Sequence, residues 1–234
     1  MSYSIQEVPV GVGATEYVFF AGDQVQLAGQ IDYPATPKPF RGYPIIFIIQ
    51  HATCNSRNGY AHFARLGTEM GAAVFRWDKR GTGKSGSSGG GSGTLDALNA
   101  YKTAVSQPNV DRTRAVIIAQ NEGTLLLHDA WVAFKDVCNP LGVVLAGNML
   151  DETEIQRLDV PVTSVMSKSD WNDWKIYGQQ ATASHYKRYP QYPQSFYTAA
   201  NSNRRLMLER GGVFHGGAAQ FIREWLAVTC KISS

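Results

Sequence analysis

The sequence predicts an α/β protein built on a mostly parallel, twisted sheet of about eight strands, with helices on both faces. Three observations carry this. Short, nearly continuous apolar runs such as "PIIFIIQ" (44–50) and "LGVVLAG" (141–147) have the length and β-branched content of strands buried on both faces. Longer stretches such as "GYAHFARLGTEMG" (59–71) place apolar residues at helical spacing. The two kinds alternate along the 234 residues, as strands joined by crossover helices do.

Two strand-like runs open the pattern, "TEYVFFAG" and "VQLAGQIDYP", each bounded by Gly, Asp or Pro. Strand 44–50 and helix 59–71 follow, then strand "AAVFRWD" (72–78) and a helix around 94–107. Strand "RAVIIAQ" (114–120) runs into a helix around 122–135, and strand "LGVVLAG" comes next. The tail holds strand "PVTSVMS" (161–167), a helical region with loops at about 172–200, strand "RRLMLE" (204–209) and helix "GAAQFIREWLAV" (217–228). The Gly/Ser-rich stretch 83–94 has elements of one pattern on both sides and reads as a surface loop, so residues 1–234 form one domain without a large cap.

Composition narrows the function. A net charge of +3, with scattered Lys and Arg, offers no basic face for nucleic acid. No apolar run approaches the length of a membrane span, and "MSYSIQEVPV" lacks the regions of a signal peptide. Cys54, Cys138 and Cys230 have no metal-ligand spacing and cannot all pair, so no metal or cofactor is expected and the setting expected is reducing and cytoplasmic. Two sequence features mislead. "RGTGKSG" (80–86) ends like a phosphate-binding loop, but the required first Gly is Asp78. The triple glycine at 89–91 is explained by low complexity.

Ligand sites in parallel sheets lie beyond the carboxyl ends of the strands. Here those ends read, in order, "QHATCNSR" (50–57), "DKRGTGKSG" after strand 72–78, "AQNEGT" (119–124), "SKSDWNDW" (167–174) and "GGVFHGG" (211–217). The set resembles the α/β-hydrolase superfamily from about residue 24 to 229, and within it the small esterase-like members without a large lid. "FRWDKRGTGKSG" looks like their D-x-R-G-x-G-x-S turn, "VPVTSVMSKSD" like the strand ending in the triad acid, and "GGVFHGG" like the loop of the triad histidine. The resemblance implies Asn121 at the nucleophile position, Asp170 as acid and His215 as histidine, in the chain order of that superfamily. It also implies an oxyanion hole from the backbone N–H of Glu122 and of Thr53, in the loop after His51. The elbow G-x-S-x-G reads Ala119-Gln120-Asn121-Glu122-Gly123, and the His-Gly of the oxyanion loop reads His51-Ala52.

Asparagine for serine changes the chemistry. A serine hydroxyl gives its proton to histidine and attacks as an incipient alkoxide. A carboxamide nitrogen has its lone pair delocalised and serves as a hydrogen-bonding group. Asn121 is therefore compatible with three functions. The first is an enzyme without an acyl-serine intermediate, in which His215, oriented by Asp170, acts as general base on water or a substrate proton. Hydrolysis, a lyase step or a cyclisation would all be open to it. The second is a serine hydrolase, or an aspartate-nucleophile relative, disabled by an engineered Asn121. The third is a small-molecule binder without catalysis. The expected partner of the first two is a small molecule with an ester, lactone, thioester or other activated carbonyl.

Several residues have competing explanations. Asp173 and Asp151 are alternative acids. Cys54 in the oxyanion loop is a substitute nucleophile or a half-buried packing residue. Trp171 and Trp174 wall a pocket with His51 and Cys54, or pack the following helix. Tyr186, Tyr189, Tyr192 and Tyr197 lie in the segment 172–200, a lid or a surface connection. His62 and His128 sit in helical stretches as surface or core residues.

Overall fold

The computed structural model describes residues 12–50, 56–87, 90–168, 172–189, 196–199 and 214–232, and within them the apolar runs become one eight-stranded sheet. The strands are β1 (Val12–Ala21), β2 (Gln26–Pro34), β3 (Tyr43–Ile49), β4 (Ala73–Asp78), β5 (Val110–Gln120), β6 (Gly142–Ala146), β7 (Val162–Ser167) and β8 (Phe196–Ala199). Their spatial order is β1-β2-β4-β3-β5-β6-β7-β8. The β1–β2 and β2–β4 pairs are antiparallel, and every pair from β4 to β8 is parallel. The helices are α1 (Ala61–Glu69), after a 3-10 turn at Arg57–Tyr60, then α2 (Gly93–Val105), α3 (Glu122–Asp129), α4 (Trp131–Val137), α5 (Glu152–Arg157), α6 (Asn172–Arg188) and α7 (Gly216–Thr229).

All seven residues of β3 are buried, as expected of a strand covered on both faces. Its alternation splits the core into two halves. Ile45, Phe47 and Ile49 join Tyr101 of α2 and Phe134 of α4, with the Phe47 ring centroid 5.2 Å from that of Tyr101. Ile46 and Ile48 join Phe63 of α1 and Ile222 and Trp225 of α7 on the other face. Fully burying side chains of this size stabilises by about 1.5–3 kcal/mol each. A strand slipped by one residue would exchange the two sets, so the pattern sets the register as well as the fold.

Four charged residues lie buried where β2, β4 and the 3-10 turn meet. The Asp32 carboxylate accepts from Arg76 Nε at 2.9 Å and Nη2 at 2.6 Å, from Gln30 Nε2 at 2.7 Å and from Thr15 Oγ1 at 2.9 Å. Asp78 pairs with the Arg57 guanidinium and accepts the Arg57 backbone N–H at 2.7 Å and that of Lys84 at 2.8 Å. Arg76 Nη1 closes the lattice on the Arg57 carbonyl at 2.8 Å. Desolvating these charges is costly, and the shared hydrogen bonds offset that cost.

The structure departs from the sequence expectations in four places. The helix read over 122–135 is two helices meeting at Ala130, whose φ of −109° and ψ of 16° leave the helical region. Asp159 holds the second piece, accepting from Trp131 Nε1 and Lys135 Nζ at 2.8 Å each. Helix α5 has no counterpart among the sequence expectations, although Asp151 and Glu154 form a capping box at its start. Helix α2 begins at Gly93 with Ser92 as N-cap, so the Gly/Ser stretch 83–94 ends inside a helix. Finally, the segment 172–200 contributes α6 and strand β8, which pairs with β7, and Tyr197 of β8 stacks on Phe221 of α7 at 5.1 Å. The strand expected at 204–209, and Tyr192, lie outside the described residues. No described helix is long and apolar enough to cross a membrane.

Two outcomes follow. Asp78→Ala strands the Arg57 guanidinium in a buried site and should cost about 3–5 kcal/mol, read as a lowered urea midpoint; replacing Arg57 and Asp78 together by apolar residues of similar size should cost less. Cys230 is buried at the end of α7, and burial raises its thiol from 9.0 to about 12. The folded protein therefore keeps a proton there that the unfolded chain loses, so stability is intact below pH 9.0 and falls as pH rises towards 12. Thiol labelling read by peptide mapping should leave Cys230 unmodified in the folded protein at pH 9.0 and modify it on unfolding.

Candidate functional site

The crossover from β3 through α1 goes to β4 on one side, whereas β5 lies on the other side of β3. This reversal is the switch point of the sheet, at the carboxyl ends of β3 and β5, where open α/β sheets bind ligands. Ala119 pairs with Ile49 beside it, and the chain leaves β5 at Asn121.

Asn121 has φ 47° and ψ −117°, close to the second position of a type II′ turn, which glycine usually fills. The surroundings hold it there. Its N–H donates to Ala146 O at 3.0 Å, and its carbonyl accepts from the backbone N–H and hydroxyl of Thr124 at 2.8 and 2.7 Å. Gly123 lets the turn press against β3. A Cβ there would stand 2.7 Å from Ile49 O and 2.9 Å from Gln50 O, both backbone atoms that cannot yield. The turn therefore needs glycine at 123, while a methyl group is accommodated at Ala119 in the strand.

The Asn121 side chain is completely buried. Its Oδ1 lies against Gly147, at φ 71°, so that a Cβ added at Gly147 would collide with it. Neither Oδ1 nor Nδ2 has a hydrogen-bond partner among the described residues. Buried carboxamides are normally bonded, and leaving such a group unpaired costs about 1–3 kcal/mol. Glu122 is the first residue of α3.

His215 is the N-cap of α7, its Nδ1 accepting the Ala218 N–H at 3.2 Å. Phe214 beside it is stacked on His62 of α1, with ring centroids 4.7 Å apart, and lies 5.3 Å from Phe63. This packing assigns His62 to the core. On the other side, the Tyr197 hydroxyl stands where a Cβ at Gly217 would project, so a side chain there would have to displace it. The cap and a triad make opposite demands on Nδ1. A cap needs its lone pair, whereas orientation by a carboxylate needs its N–H.

The other sequence candidates divide plainly. His51, Thr53, Cys54, Asp170 and Trp171 lie outside the described residues. Asp173 and Trp174 fall on α6, close to its start. Asp151 is engaged as the α5 cap, its carboxylate accepting the Glu154 N–H at 2.8 Å. Residues that sequence reasoning missed are Arg57, Gly147 and Thr124. Gln50, bonded through its amide to Trp77 O, and Arg57, clamped by Asp78, anchor the chain on either side of residues 51–55. The glycine following strand 141–146 was the legible signal for Gly147; nothing local marked Arg57. Among the described residues no group of three or more His, Cys, Asp or Glu could hold a metal ion.

No protein-family model matches the chain, and no curated protein does. Solved structures do. A hypothetical protein from Pseudomonas aeruginosa matches with TM-score 0.52 and 18% identity over 79% of this chain, which spans 57% of that protein's length. The esterase domain of a Rhodothermus marinus protein matches with TM-score 0.59 and 17% identity, over 91% of this chain and 96% of that one. An α/β serine hydrolase without a lid, from Xanthomonas campestris, matches with TM-score 0.58 and 16% identity, over 90% and 94%. With this sheet order, helices on both faces and these neighbours, the chain has the α/β-hydrolase fold.

Proposed function

We propose that this protein is a hydrolase-like enzyme acting on a small molecule with an ester, lactone or other activated carbonyl. One observation carries the reading: at the switch point of the sheet, the chain makes a positive-φ turn at Asn121 directly into the start of α3. Such a turn presents the side chain of residue 121 and the N–H of residue 122 to one point, which is the geometry acyl transfer needs. Solved structures named as esterases share the fold and lend the substrate class.

In this mechanism the Glu122 N–H, with Thr53 as second donor, binds the oxygen that gains charge as the carbonyl is attacked. His215 serves as general base towards water or a substrate proton once Asp170, rather than the α7 cap, engages Nδ1. Asn121 positions substrate or water and forms no acyl intermediate. Hydrogen bonds to a bound ligand would give its carboxamide the partners that the described residues lack. The unbonded carboxamide also favours a second reading, in which the elbow is shaped for serine or aspartate and Asn121 disables it.

Turnover of a generic aryl ester separates the two. If Asn121 disables a serine hydrolase, Asn121→Ser should raise kcat/KM at least about 100-fold, with a burst of product, because losing a triad nucleophile costs more than that in triad enzymes. If Asn121 is the working residue, the protein itself turns over an acyl compound and Asn121→Ser brings no burst. Inactivity of both proteins on every acyl compound, with ligand binding unchanged in His215→Ala, would leave only a binding role. In whichever protein is active, His215→Ala should abolish turnover and Asp170→Asn should lower kcat sharply, with Asp173→Asn close to neutral. A reversed order of the two aspartates would move the acid to Asp173.

A further inference from the structure

The conformation of Asn121 has a chemical consequence independent of any substrate. At a tetrahedral Cα the side chain stands a third of a turn from the backbone nitrogen. A ψ of −117° therefore swings the next backbone nitrogen, that of Glu122, into line with the Asn121 Cβ. In extended or helical backbone that nitrogen lies well away from Cβ. Here Cβ, Cα, the carbonyl carbon and the Glu122 nitrogen are nearly coplanar, which is the arrangement of a five-membered cyclic imide. Only rotation of the carboxamide about Cα–Cβ separates its carbon from that nitrogen.

The surroundings favour the same outcome. The turn is held by the bonds to Ala146 and Thr124, so the backbone part of the ring geometry is reached in the folded protein. The carboxamide is completely buried, and neither of its polar atoms is held by a hydrogen bond from a described residue. The N-terminus of α3 favours a carboxylate over an amide at this position.

We propose that Asn121 is a self-modification site, at which the folded protein converts the asparagine to aspartate through a cyclic imide. A base takes the proton of the Glu122 amide, and the nitrogen bonds to Asn121 Cγ. The Cγ–Nδ2 bond breaks, and ammonia leaves with the proton. Water then adds to one imide carbonyl and cleaves its bond to nitrogen. Cleavage at Cγ restores the Glu122 peptide bond and leaves aspartate; cleavage at the main-chain carbonyl leaves isoaspartate. Water enters, ammonia leaves, and nothing is oxidised or reduced. The modification stands whether or not the site hydrolyses esters.

Mass spectrometry of the intact chain, folded or unfolded in urea and incubated side by side at mildly alkaline pH, tests this. After digestion at Lys and Arg, the peptide from Ala115 to Lys135 has Asn121 as its single asparagine. That peptide should gain about one dalton in the folded protein, and about two more when the water is 18O-labelled. Fragment ions should place the gain at residue 121 and not Gln120. Because the fold supplies a near-attack geometry, conversion should be at least about tenfold faster folded than unfolded. Asn121→Gln, whose longer side chain needs a larger ring, should abolish the gain. Conversion no faster in the folded protein than in the unfolded chain, or confined to Gln120, overturns the proposal.

Discussion

The site depends on the reversal of the chain between β5 and α3. A parallel strand that must turn sharply into a helix has few backbone solutions, and this one forces a non-glycine residue to positive φ. The conformation persists because its neighbours leave no alternative. Gly123 brings the start of α3 against the β3 carbonyls, Ala146 captures the Asn121 N–H, and Thr124 bonds back to its carbonyl. Thr124 also reaches sideways, its hydroxyl accepting the Met149 N–H at 3.2 Å. The elbow is thus tied to β3 on one side and to the segment after β6 on the other. It cannot relax without disturbing both.

That turn needs a rigid base, which the two core clusters and the buried charge lattice supply from different directions. The clusters fix how far β3 and β5 lie from the helices on each face. The lattice ties the antiparallel strand β2 to β4 and to the chain just after residues 51–55. Burying two Asp–Arg pairs is a poor route to stability compared with apolar packing. Its use here is directional: Asp78 binds the main chain of Arg57 as well as its side chain, which a hydrophobic contact could not do.

Much of this was legible from the sequence, for physical reasons that can be named. Strands buried on both faces read as continuous apolar runs, so β3 and β5 to β7 were recognisable without neighbours. The elbow was legible because a strand, a short polar turn and a glycine before a helix occur together at 114–123. What escaped depended on contacts distant in sequence. The break at Ala130 answers to Asp159, and the burial of Arg57 answers to Asp78. Strand β8 is short and half-buried and follows a stretch rich in Tyr and Pro, so its period-2 signal is too weak to distinguish it from a surface connection. Asp151 shows a different failure. A carboxylate after a strand suggests catalysis, but "DETE" is also a capping box, and the local explanation suffices.

A serine at this turn would bring one donor and one hydroxyl oxygen. The carboxamide brings two donors and two acceptor sites into the same buried volume, and the described protein answers none of them. The turn at residue 121 is shaped by Ala146, Thr124, Gly123 and Gly147. It is not built around the hydrogen-bonding needs of an amide. A bound molecule, or conversion of the amide to a carboxylate, would each answer the carboxamide that is unbonded among the described residues. Either way the elbow's geometry, more than the identity of its side chain, is what the surrounding fold preserves.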